Sequence, residues 1–212
     1  MKYLYLAACL FCCTFQANAQ FVNYDVRTEQ LGLRTGAAYW WSNFKNISSG
    51  LGVEEELYYR REHKRWSLEL SLNYSTYQRP LHYYATVMDV GTFAFIAYDK
   101  ETLHTYATML SIQYLIFDGD RLKSYIGAFT NPVFYDYKIH ALPGSAENEP
   151  SGGDIKMGAG ISCTAEYQLT RHLELNSSLR FGYLKLRDNA ISELYTTPEF
   201  KTSLLIGCGY VF

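Results

Sequence analysis

The chain lacks an excess of either charge, a cysteine framework and, after its first twenty residues, any long apolar run. Nineteen Lys and Arg stand against 21 Asp and Glu, a net charge of −2 over 212 residues. No basic stripe is available to a nucleic acid, so nucleic-acid partners are excluded. Three of the five cysteines, Cys9, Cys12 and Cys13, fall in the first thirteen residues; Cys163 and Cys208 remain. Two cysteines make no disulfide scaffold. No later segment approaches the ~18 apolar residues of a membrane helix, and no helical periodicity of useful length occurs. His, Cys, Asp and Glu show no metal-ligand spacing, and nothing in the chain calls for a cofactor. By hydropathy alone the chain reads as an exported soluble protein.

What is present begins with MKYLYLAACLFCCTFQANAQ. Lys2 is a positive n-region, Leu4 to Phe15 an apolar h-region, and Ala17-Asn18-Ala19 a small-x-small cleavage site. Residues 1–19 therefore read as a signal peptide and 20–212 as one domain. Leu6-Ala7-Ala8-Cys9 offers a competing lipoprotein site, but the apolar stretch before Cys9 is too short and continues past it.

The rest alternates with period two, the pattern of a strand whose two faces differ. Trp66, Leu68, Leu70, Leu72 and Tyr74 oppose Ser67, Glu69, Ser71 and Asn73. Phe200, Leu204, Ile206, Cys208, Tyr210 and Phe212 oppose Lys201, Ser203, Gly207 and Gly209. Eight such strands are predicted, at about 29–41, 50–61, 65–78, 103–117, 122–137, 156–169, 173–186 and 199–212. Pro132 marks a bulge or an edge in the fifth. Connections after strands 2, 4 and 6 are tight; those after strands 1, 3, 5 and 7 are long. All short turns then lie at one end of an antiparallel up-and-down meander, and all long connections at the other.

Alternation alone does not say which face is inside, and a soluble lipocalin-type barrel shares the pattern. Three observations favour apolar-out. An eight-stranded barrel has room for little more than its own side chains; the set rich in Gly, Ser, Ala and Thr fits there, and the set of Leu, Tyr, Trp and Phe does not. Aromatics recur eight to ten residues apart on the apolar face: Trp66 and Tyr74, Tyr106 and Tyr114, Tyr125 and Tyr135, Phe200 and Tyr210. That separation climbs roughly 20–25 Å, the height of an apolar membrane band between two aromatic girdles. Trp41, Tyr167 and Tyr183 join the predicted girdles. Finally, few acids fall on the apolar face. Glu55, in the middle of Glu54-Glu55-Glu56, is the exception; it requires a bulge or a covering protein surface.

Signal peptide, eight alternating strands, short turns opposite long loops, aromatic girdles and a terminal Phe212 together resemble the small OmpA/OmpX-type outer-membrane β-barrel family. The resemblance covers essentially the whole chain after residue 19 and is architectural, so it carries no functional motif. It implies an all-β, eight-stranded antiparallel transmembrane barrel in the outer membrane, with both termini and the short turns periplasmic. It implies contact with outer-membrane lipids and lipopolysaccharide. It also implies recognition of Tyr210 and Phe212 as an assembly signal by the barrel-assembly machinery. The implied role is structural or surface-binding, without an open pore and without enzyme activity.

The inward set contains Arg34, Glu54, Glu56, Glu69, Glu166, Glu174, Arg180 and Lys201, charges that a narrow interior must pair. Arg34 is expected near Glu56 or Glu69, and Arg180 near Glu166 or across the lumen. A gated pore and a rigid polar plug both use such a set; eight strands leave no continuous channel, which favours the plug. Cys163 and Cys208, separated by one strand, are too far apart for a disulfide and are expected as lipid-facing thiols. Arg60, Arg61, His63, Lys64 and Arg65 read as a solvated periplasmic turn. The apolar connection 79–102 suggests a hairpin projecting beyond the membrane that could take a surface ligand, and it leaves a ten-stranded barrel open. The alternative function is a lipid A-modifying enzyme with a rim site near His104, which would need a nucleophile and base together.

Overall fold

A computed structural model describes residues 28–41, 49–89, 92–141, 151–184 and 199–212; the signal-peptide reading lies outside these residues. Eight antiparallel strands close into one barrel in sequence order: β1 (Glu29–Trp41), β2 (Gly50–His63), β3 (Trp66–Asp89), β4 (Thr92–Asp118), β5 (Leu122–Ala141), β6 (Ser151–Gln168), β7 (Leu173–Leu184) and β8 (Glu199–Val211). Among the described residues the barrel has eight strands, not ten. The 79–102 segment extends β3 and β4 into one long hairpin, paired as far as Asp89 opposite Thr92.

The barrel is staggered. Partners followed from Leu31 through Tyr59, Leu70, Leu110, Thr130, Ala159, Tyr183 and Phe200 return to β1 at Trp41, ten residues further along. A stagger of that size tilts the strands by about 40°, which closes the cylinder. Among the described residues, β3 beyond Gln78 has no β2 partner and β4 before Tyr98 no β5 partner, so there the two arms pair with each other. The last rung is the amide of Phe212 donating to the carbonyl of Glu29 at 2.9 Å.

The burial pattern is inverted relative to a soluble protein. Arg60, Glu69 and Ser71 are 0% exposed, while Leu33 and Ile206 are each 61% exposed. A lipocalin core would show the reverse, and this excludes the soluble reading on physical grounds. Cys163 and Cys208 are free and lie on the outer face.

Three local features depart from expectation. β2 runs through Glu54-Glu55-Glu56 with unbroken register on both sides, so no bulge rescues Glu55, which points outward among apolar neighbours. Pro132 causes no register shift either. The β4–β5 pairing passes from Ala107–Val133 to Leu110–Thr130 without the two pairs between, because proline has no N–H to give. Lys64, in the tight β2–β3 turn, takes φ 55°, the left-handed region.

Candidate functional site

The inward phases of β1, β2, β3, β6 and β7 bring their charges to one place in the lumen. Glu69 of β3 is the hub. It accepts from Arg34 of β1 at 3.0 and 2.9 Å, from Arg60 of β2 at 3.1 and 2.6 Å, and from Arg180 of β7 at 3.3 Å. Arg34 also donates to Glu56 at 2.6 Å and to Asn176 at 2.7 Å. Arg180 donates to Glu56 through both terminal nitrogens and to Asn73. Arg60 closes the circuit to Glu166 of β6. Fork-shaped guanidinium groups suit such shared pairing, and Glu69 and Glu56 each have several donors. These groups have almost no solvent exposure, so they form a continuous polar septum across the barrel.

On the long-connection side of that septum, Lys201 of β8 donates to Glu54 at 2.8 Å, and Ser203 donates to the same carboxylate at 2.7 Å. Near the short turns, Tyr125 and Lys123 of β5 donate to Glu62 at 2.5 and 3.0 Å, while Gln30 donates to Glu174 at 3.1 Å. Arg34 lies between Glu56 and Glu69, and Arg180 meets Glu56 and Glu69 rather than Glu166.

Aromatic rings fill the rest of the lumen, and here two expectations are corrected. Tyr125 and Tyr135, assigned above to the outer girdles, are each 2% exposed and point inward. β5 carries large side chains on both faces: Tyr125, Phe129, Tyr135 and Tyr137 inside, Ile126 and Phe134 outside. Alternation therefore cannot set its phase; pairing with β4 and β6 does. Trp40, Tyr58 and Tyr77 are also inward, so the lumen is not filled by small residues alone. Inward glycines make the space. A β-carbon on Gly32 would strike the ring of Tyr58, and one on Gly160 the ring of Phe129.

Arg60 is the other correction. It belongs to the lumen rather than to a solvated turn, and its guanidinium lies 5.2 Å from the Tyr125 ring centroid. Tyr58, Asn73 and Asn176 join the network unforeseen; Asn176 donates to the Tyr58 hydroxyl at 2.6 Å. Their signal was available, since Tyr58 lies in phase with Glu54, Glu56 and Arg60, and Asn176 with Glu174 and Arg180.

The remaining girdle residues lie on the outer face: Trp41, Tyr74, Tyr106, Tyr183 and Phe200 toward the long connections, Trp66, Tyr114, Tyr167 and Tyr210 toward the short turns. Neighbouring rings touch along each belt, as in Tyr74–Tyr106 at 5.1 Å, Tyr183–Phe200 at 5.8 Å and Trp66–Tyr114 at 5.0 Å. Tyr210 packs edge-on against Phe212 at 5.2 Å. His104 lies on the outer face, its Nδ1 3.0 Å from the Tyr74 hydroxyl, with Asp136 as its register partner on β5. Among the described residues no group of His, Cys, Asp and Glu could hold a metal ion.

Comparison with known proteins agrees with this architecture. The model of a family described as "Protein of unknown function (DUF3575)" matches residues 5–203. No curated protein sequence matches. Among solved structures, Neisserial surface protein A superposes with a TM-score of 0.55 at 13% identity, covering 89% of this chain and all of that one. A major outer membrane protein from Thermus thermophilus gives 0.55 at 12% identity with the same coverage. Ail, the attachment invasion locus protein of Yersinia pestis, in complex with the heparin analogue sucrose octasulfate, gives 0.52 at 12%, again with 89% and 100% covered. These likenesses establish a fold shared with small outer-membrane barrels.

Proposed function

The chain belongs to the DUF3575 family, and for this member we propose an integral outer-membrane barrel with a closed lumen, acting through the connections it holds at the cell surface. The observation that carries the reading is the septum centred on Arg34 and Glu69. It draws on five strands from opposite sides of the barrel, so ions have no path along the axis without breaking buried pairs. The apolar outer wall between two aromatic belts supports membrane insertion. By the same reasoning residues 1–19 are removed on export, the short turns and both termini are periplasmic, and lipids and lipopolysaccharide surround the wall. Tyr210 and Phe212 are the signal for the assembly machinery. The part of the β3–β4 hairpin at 79–102 is the element for a surface ligand. Ail, of like fold, was crystallised with a heparin analogue, and an acidic polysaccharide is a suitable first probe for that hairpin.

Purified barrel in planar bilayers tests the closed lumen. No steady conductance is expected; a stable open current would overturn the reading. Fractionation tests location, with heat-modifiable protein expected in outer membranes rather than in the soluble fraction.

A second reading rests on the Tyr74–His104 hydroxyl–imidazole pair on the outer face, with Asp136 opposite. It is a rim site acting on lipid A acyl chains. An unchanged lipid A profile on His104→Ala would remove it.

A further inference from the structure

The lumen is chemically two-sided. The septum's charges come from β1–β3, β6 and β7, whereas at mid-height β4 and β5 present Leu103, Met109, Phe129 and Val133. The β4 and β5 charges Glu101 and Lys123 lie toward the two ends. Where the two sides meet, just beyond the septum, lies a cavity of about 40 Å³. A water needs about 10–15 Å³ of such space, so more than one small group fits.

Two polar groups on its wall have no partner. Trp40 is 1% exposed and Arg180 is 4% exposed; the indole Nε1–H of Trp40 and the Nε–H of Arg180 meet no acceptor, although both residues line the cavity. Native interiors leave few such donors unsatisfied, because each has surrendered its water without replacement. The Trp40 ring is fixed, packed edge-on against Tyr77 at 5.2 Å, with the Lys201 ammonium 5.9 Å from its centroid.

The charges beside the cavity are already matched. Lys201 is paired with Glu54 at 2.8 Å, and Arg180 with Glu56 at 2.9 Å. An entering ion would bring a charge with no counter-charge left among these pairs. An uncharged oxygen acceptor would satisfy the orphan donors at no such cost, and Met109, Phe129 and Val133 offer an apolar seat for a methyl or methylene beside it.

We propose that this cavity is a binding site for a small uncharged molecule or terminal group, a carbonyl or amide oxygen on a short apolar body, received by the Trp40 indole N–H. The site belongs to the lumen and does not depend on which compartment either barrel end faces.

Acetamide and acetate, nearly isosteric and differing in charge, separate the idea from its competitors. The full chain is labelled with ¹⁵N-tryptophan and refolded in detergent micelles. Its three tryptophans, Trp40, Trp41 and Trp66, give three indole N–H signals, and Trp40→Phe identifies one. Acetamide should move the Trp40 signal saturably while Trp41 and Trp66 stay still. Acetate should bind at least about tenfold more weakly, given the uncompensated charge. Ala107→Leu, which narrows the cavity, should abolish the shift while leaving the other two signals and heat-modifiability intact. No saturable movement of Trp40 would mean that the cavity holds water only. Equal response to acetate, or parallel movement of all three signals, would also overturn the proposal. A barrel that binds acetamide yet fails to fractionate with outer membranes would contradict the location proposed above without touching this site.

Discussion

Arg34 and Glu69 stand on strands separated by β2, yet the Glu69 carboxylate takes two hydrogen bonds from the Arg34 guanidinium, at 3.0 and 2.9 Å, with both side chains fully enclosed. The guanidinium passes the intervening strand over the Tyr58 ring, 3.7 Å from its centroid. On the other side of β1, Gly207 of β8 leaves Arg34 its room, since a β-carbon there would meet it.

Glu69→Gln should therefore be far more harmful than its size suggests. Arg34, Arg60 and Arg180 all lose one carboxylate at once, leaving buried cations undercompensated. Breaking such a pair costs about 3–5 kcal/mol. Urea titration of the refolded barrel in micelles, read by heat-modifiability, should show a clearly lower midpoint. Glu29→Gln, at an exposed pair with Arg61 (3.5 Å), should shift it by no more than about 1 kcal/mol equivalent.

Gly160→Val should fail to fold. Its β-carbon would meet the Phe129 ring and the backbone of Phe181 and Gly182, and strand backbone cannot retreat within a closed barrel. Adding Phe129→Ala should restore only part of the yield, since the backbone contacts persist. Refolding yield on unheated gels reads both outcomes.

Glu55→Leu should stabilise the barrel in lipid. The carboxylate faces outward between Thr35 on β1 and Tyr74 on β3, on the apolar side of the wall. Removing a charge from lipid depth should gain about 1–2 kcal/mol, less than the about 2–4 kcal/mol typical of Arg or Lys at the midplane. The gain should shrink in micelles, where water reaches the wall. A loss of stability in lipid would point instead to a partner surface that this carboxylate serves.

Lys64→Gly relieves the left-handed turn residue and should stabilise by about 0.5–1 kcal/mol. Unfolding in urea, compared with wild type in one micelle preparation, measures it.

Strand number, the alternation of short and long connections, and the outward face of β3, β6 and β8 were legible in the sequence. Each of these strands has one face of clearly larger and more apolar residues. β5 was not legible, because Tyr125, Phe129 and Tyr135 compete with Ile126 and Phe134 for the outer face. Only pairing such as Tyr125 opposite Thr164, itself inward, decides the phase. Most charges of the septum were readable because a charge in phase with serines on an amphipathic strand has nowhere else to go. Arg60 was missed for its place among Arg61, His63, Lys64 and Arg65, where proximity to a turn outweighed its phase with Glu54 and Glu56. The hairpin of segment 79–102 was legible too, as an extension of the third and fourth strands, although the predicted strands themselves stop at 78 and start at 103. Pairing of the two arms continues where apolar alternation no longer marks it.

The central claim, an inside-out barrel with lipid on its apolar face, is tested most directly on β8. Single spin labels at Leu204, Leu205, Ile206 and Cys208, with Cys163 changed to Ala and Cys208 to Ser in the first three, would be read in lipid vesicles by collision with oxygen and with a water-soluble nickel complex. Positions 204, 206 and 208 should be oxygen-accessible and nickel-protected, while 205, buried in the lumen at 0% exposure, should be shielded from both. Nickel access at the even positions, or the absence of a period of two, would contradict the account.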